Sequence, residues 1–269
     1  MTASRARSRV FPVLLLVLSA LAGCTPALAE APVQAAATSR PTVQPAAPTA
    51  TARPTSEPTR RSERTPKPKP SADARAPFAM DLYEAGDFVA QHTFEWCVGA
   101  SVQMAWNLVR EDRRSSFRDQ RRLWEMARDR SVDSFGGANP FGWASVLTEI
   151  GLGSYEVVSV PNYERALRRA VSALRATNRP VGLVMWRGRH AWVMSGFESR
   201  GDPARTDEFT ITGVRVLDPL FPHGSSIWGP SPRPNSLLTP AELATDFVIR
   251  ERRNWSIDVT PGYLLVLPR

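Results

Sequence analysis

The chain has 269 residues, a formal net charge of +8, two cysteines and three histidines. The charge is uneven: residues 78–269 hold 23 arginines and no lysine against 22 acidic residues, so most of the excess sits nearer the N-terminus. A folded region this close to neutrality argues against a nucleic-acid binder, which needs a basic face on the domain itself. Its three histidines and single cysteine show no metal-ligand spacing, and neither a phosphate loop nor a dinucleotide fingerprint occurs, so no metal or cofactor is expected.

Residues 1–24 read as an export signal. Arg5, Arg7 and Arg9 precede an apolar run from Val10 to Leu18, too short to span a bilayer, and small residues follow it. Leu21-Ala22-Gly23-Cys24 resembles a bacterial lipobox, which implies cleavage before Cys24 and lipidation of its thiol. A second cut could follow Ala27-Leu28-Ala29, giving a secreted chain instead. Both outcomes place the protein outside the cytoplasm, the first as a membrane-anchored lipoprotein of the cell envelope. Residues 25–77 are built from Pro, Ala, Thr and Ser with almost no large apolar residue, the composition of a disordered linker. The Pro-Lys-Pro-Lys-Pro run stiffens it towards polyproline II.

Residues 78–269 are long enough for one domain with its own core. Ala100, Met104 and Leu108, with Ser101 and Ala105, form a stripe that predicts a buried helix from Cys97 to Arg110. A second helix, from Gln120 to Arg130, turns Leu123, Trp124 and Ala127 inward and carries a solvated arginine-rich face. Asn139-Pro140 has the form of a helix cap, and the segment up to Ile150 follows it. Another helix runs from Pro161 to about Thr177. Strands are predicted at Val181–Trp186, His190–Phe197, Phe209–Leu217 and Tyr263–Leu267, and the six prolines from Pro219 to Pro240 mark a long loop. Helices first and antiparallel strands later predict an α+β domain.

Four residues in this layout carry chemistry. Cys97 stands where a helix begins, and free N–H groups and the macrodipole there favour a thiolate. An exported thiol with no intramolecular partner is a liability unless it has a role; a small buried apolar cysteine is the alternative. Gln91, six residues earlier, could offer an amide to an oxyanion, or be an ordinary polar loop residue. The 190 and 209 strands read as a hairpin. Setting Ser199 opposite Phe209 places His190 opposite Asp218, and a slip of one or two residues leaves them neighbours. A carboxylate beside a histidine fixes its tautomer and stabilises the imidazolium. A satisfied strand histidine and an Asp-Pro turn are the plainer readings. Glu95 is expected to face solvent, since an inward carboxylate would oppose the thiolate.

The segments Gln91-His92-Thr93-Phe94-Glu95-Trp96-Cys97-Val98-Gly99, Gly188-Arg189-His190-Ala191-Trp192 and Val216-Leu217-Asp218-Pro219 together resemble the papain-like cysteine peptidases. The bacteriocin-processing, double-glycine branch is the most similar. That resemblance implies a helical lobe bearing the nucleophile against an antiparallel sheet. It also implies Cys97 as nucleophile, His190 as base, Asp218 as its orienter and Gln91 as the oxyanion residue. The expected activity is peptide hydrolysis by a monomer whose partners are peptide or protein substrates and, through Cys24, the membrane. The step after the nucleophile is Val98-Gly99 rather than the branch's usual Gly-Pro, so double-glycine preference is not carried over. A cell-wall amidase or endopeptidase with Cys–His chemistry and a non-catalytic peptide-binding module on the same scaffold are the alternatives.

Overall fold

The computed structural model describes residues 75–132, 137–250 and 259–269, all within a unit running from Arg64 to Arg269. The expected signal, Cys24 and the linker up to residue 74 lie outside the described residues. Mixed helix and antiparallel sheet make this an α+β protein.

In chain order the elements that position the site are β1 (Pro77–Asp81), α1 (Cys97–Asn107), α2 (Phe117–Asp129), α3 (Pro140–Glu149), β2 (Tyr155–Val160) and α4 (Tyr163–Thr177). They continue with β3 (Val181–Met185), β4 (His190–Arg200), β5 (Thr210–Leu217), the short pair β6 (Gly224–Ser225) and β7 (Gly229–Pro230), β8 (Ser236–Leu238), α5 (Pro240–Leu243) and β9 (Tyr263–Pro268). The main sheet runs β2-β9-β3-β4-β5-β8, all antiparallel, and β1 pairs with the far half of β4. Among the described residues no helix is long and apolar enough to cross a membrane.

Both faces of the sheet are covered, which is why every residue of β3 is buried. Alternation sorts them. Val181, Leu183 and Met185 pack with Ala166, Ala170 and Leu174 of α4, whereas Val184 joins Val102, Leu123 and Leu147 of α1–α3. Local signals set the helix starts. Ser116 accepts the Asp119 N–H, Asn139 accepts those of Phe141 and Gly142, and Asn162 accepts that of Arg165. Asn178, in the left-handed conformation, ends α4. The arginines of α2 are surface groups, as expected, and Arg121 and Arg122 pair with Glu125 and Asp119 along the helix.

Three sequence expectations need correction. Strands β1 and β2 were not foreseen, so helices and strands interleave more than the order implied. Residues 219–240 are not one featureless loop: β6 and β7 form a hairpin and β8 adds a strand to the sheet beside β5. The β4–β5 ladder is also offset. Ser199 faces Ile211 rather than Phe209, and irregularities lie between Met194 and Gly196 and between Glu198 and Ser199. A bulge is invisible in a pattern of alternation, because the extra residue has no partner to betray it.

Helices α1 and α2 approach closely at Gly99. A Cβ there would lie 2.7 Å from the Gln120 carbonyl oxygen and 2.9 Å from the Trp124 Cβ. Backbone on one side cannot yield as a side chain would. Gly99→Ala is therefore expected to lower unfolding stability by about 1–3 kcal/mol despite alanine's better helix propensity. Urea denaturation measures it; a stabilised variant would refute the close contact.

Candidate active site

Three chain segments converge where α1 meets the end of the sheet. Helix α1 opens on Cys97, half-buried, with Trp96 as an N-cap whose side chain makes no capping bond. The cap side chain therefore does not compete for the first-turn N–H groups beside the sulfur. The Ser101 hydroxyl, one turn further on, donates to the Ala191 carbonyl at 3.3 Å and ties α1 to the start of β4.

His190, the first residue of β4, is 6% exposed. Its Nε2 lies 2.6 Å from Asp218 Oδ1, and His190 and Cys97 line the same cavity. With Nε2 committed to the carboxylate, Nδ1 is the nitrogen left for sulfur. The displaced ladder has not separated the pair, because His190 and Asp218 lie just past its last rungs. Burial alone would lower the imidazole pKa. The hydrogen bonds to Asp218 and Cys97, with their negative charges, outweigh it and raise the pKa to about 9 from 6.5.

Asp218 is wholly buried, so its carboxylate needs paired charge to offset desolvation. Oδ1 accepts from Leu220 N at 2.9 Å as well as meeting His190, and the Asp218 carbonyl accepts from Phe221 N. The Asp-Pro turn and the histidine partner are thus one residue doing two jobs. Folded His190 holds its proton more tightly than the unfolded chain would. Its contribution to stability is complete below pH 6.5 and is lost as pH rises through about 9.

Gln91 reaches the same neighbourhood through its backbone, whose N–H donates to the Pro219 carbonyl at 2.7 Å. Its Nε2 donates to Thr93 O at 2.9 Å, which occupies one of the two amide hydrogens and leaves the other. The flanking loop is clamped by Gln120 of α2, fully buried. Gln120 Oε1 accepts the His92 N–H at 2.8 Å, while Nε2 donates to Ala90 O at 3.1 Å and Gln103 Oε1 at 2.8 Å. Gln120 gives no warning in the sequence, because a glutamine on a polar helix carries no signal of its long-range partners. Glu95 is exposed, as expected, and so are His92 and His223.

Beside the sulfur lies a cavity of about 140 Å³, with Val98, Trp143, Val184 and Ala191 among its walls and Cys97 and His190 at its edge. On its other side His190 is covered by Trp186, whose ring stacks on the imidazole with centroids 4.1 Å apart and planes 18° off parallel. In the sequence Trp186 is only a strand end, since no pattern shows that the following turn folds the indole back. Trp96, Trp143 and Trp192 are buried, and Trp106 and Trp228 are half-buried. Among the described residues no cluster of three or more His, Cys, Asp or Glu side chains could hold a metal ion.

The site therefore has a thiol at a helix N-terminus, an imidazole lining the same cavity, a buried carboxylate behind the imidazole and amide donors close by. Such a set can move a proton from sulfur to nitrogen and hold the resulting charges. No protein-family model matches this chain, and no curated protein matches it in sequence.

Proposed function

We propose that this protein is a cysteine peptidase of papain-like type, exported and held at the envelope by a lipid on Cys24. The observation that carries the reading is the buried His190–Asp218 pair lining the same cavity as Cys97 at the start of α1. Cys97 thiolate attacks a peptide carbonyl carbon, and the oxyanion is met by the first-turn N–H groups of α1 and the spare amide hydrogen of Gln91. His190, protonated by the thiol, gives that proton to the departing amine. The thioester so formed is then hydrolysed by a water that His190 deprotonates, which frees the acid and restores the thiol.

The test is labelling of reduced, folded protein by a peptidyl epoxysuccinate, with the modified residue located by mass spectrometry. Cys97 alone should carry the label, and short peptide substrates should be cleaved. The reactive form needs a protonated imidazole, so the raised pKa moves the alkaline limb of kcat/KM to about pH 9, above the 6.5 of a free histidine. Unlabelled Cys97 in folded protein, with no cleavage across a broad peptide library, would end the reading.

A further inference from the structure

We infer that the cavity beside Cys97 receives a substrate carboxylate, and that Arg189 is the specificity-determining residue that selects it. The inference rests on the peptidase reading above and names its substrate class: peptides with an acidic side chain, or a free C-terminus, close to the bond that is cut.

Arg189 closes the turn between β3 and β4. Within that turn Trp186, Arg187 and Gly188 have φ of 54°, 58° and 90°, so two residues with side chains take the left-handed region in succession. Such a backbone persists only where its surroundings impose it. The N–H groups of Gly188 and Arg189 both donate to the Met185 carbonyl, at 2.9 and 3.0 Å, which holds the turn. Residues two apart share a face of a strand, so Arg189, just ahead of β4, leads onto the side of Ala191. Ala191 pairs with Val184 across the ladder, and both are cavity walls, as is Arg189.

The rest of the lining makes that guanidinium stand out. Val98, Trp143, Val184 and Ala191 are apolar, and no acidic side chain is among the walls. Beyond Cys97 and His190, Arg189 is the one wall residue with a charged side chain. It is exposed, and among the described residues its side chain has neither a hydrogen bond nor an ion pair. The starts of α1 and α3 also reach this cavity, so two helix dipoles add to the positive potential. At α3 the Asn139 side chain already holds the Phe141 and Gly142 N–H groups, which leaves the guanidinium as the group to meet an anion there. Its planar fork matches the two oxygens of a carboxylate, and apolar walls strengthen such a pair by excluding water. A lysine or arginine side chain in the same cavity would meet like charge.

The experiment compares kcat/KM for peptide pairs that differ in one charge, using wild type, Arg189→Met and Arg189→Glu in the full chain. One set places Glu or Gln at each position flanking the scissile bond in end-capped peptides. The other set compares free C-terminal acids with their amides. Wild type should favour the acidic member of at least one set by about tenfold or more, and the responding set identifies the source of the carboxylate. Arg189→Met should bring that ratio to within about twofold of unity, and Arg189→Glu should favour the neutral member. A general loss of activity leaves the ratio unmoved, which separates selection from a structural role. Wild type with no acid preference in either set, or folded Arg189→Met that keeps the preference, overturns the inference. Should Arg189→Met not fold, Arg189→Glu decides by the same ratio. Binding of the same pairs to Cys97→Ala protein, read by fluorescence anisotropy, needs no turnover. Acid-dependent binding that Arg189→Met abolishes, beside a wild type that cleaves nothing, would uphold the carboxylate site and remove the peptidase. Cleavage without charge preference would do the opposite, and peptides neither bound nor cleaved would remove both.

Discussion

Cys97→Ala is expected to fold normally and to lose peptide hydrolysis by about 10⁶-fold in kcat, the scale on which removing a nucleophile from a cooperating triad acts. The fold should tolerate it. The side chain is half-buried, and losing one sulfur from a helix start where alanine is a good former should change stability by less than about 1 kcal/mol. Cys97→Ser should be nearly as inactive, because the hydroxyl is far less acidic than the thiol and forms the attacking anion far less readily. Thermal denaturation alongside a continuous peptide assay separates the two quantities. Turnover within about tenfold of wild type in Cys97→Ala would mean that the sulfur is not the attacking atom.

Asp218→Asn should cost about 10²-fold in kcat with little change in KM. Asparagine keeps the carbonyl oxygen that can receive the Leu220 N–H, so the turn is expected to survive. Because Oδ1 meets both the Leu220 N–H and Nε2, an oxygen kept there for the turn also keeps the ring's tautomer. What is lost is the negative charge that stabilises the imidazolium. Loss of the negative charge also lowers the imidazole pKa, since the carboxylate is one of the groups that raises it. The tautomer is readable from ¹⁵N shifts of His190, and the alkaline limb of the rate profile should fall below pH 9. A variant retaining more than about a tenth of wild-type kcat would show that Asp218 serves the turn alone.

Much of this site was legible because its parts have short-range signatures. Asn139-Pro140 announced α3, and the stripe from Ala100 to Leu108 announced α1, so the start of that helix could be placed at Cys97 by counting. The His190–Asp218 meeting was legible for a different reason. Two strands joined by a polar loop bring their outer ends together whatever the fine register, and the 2.6 Å contact survived a shifted ladder. Features decided by partners distant in sequence stayed hidden. Gln120 looks like any polar helix residue, yet its amide clamps the loop on either side of Gln91. Trp186 looks like the end of a strand, and only the left-handed turn reveals its contact with the imidazole. Edge strands such as β2 are short and only partly covered, so their alternation is weak.

Where the sulfur sits is settled two residues downstream by an atom that is missing. Because position 99 bears only hydrogen, the α2 main chain nests against α1 so closely that a methyl group there would meet the Gln120 carbonyl. Anything bulkier would press on the α2 backbone and shift Cys97, two residues away, relative to His190 at the start of β4. Alignment of the chemistry is thus enforced through steric exclusion at a distance, by a contact that never touches a substrate.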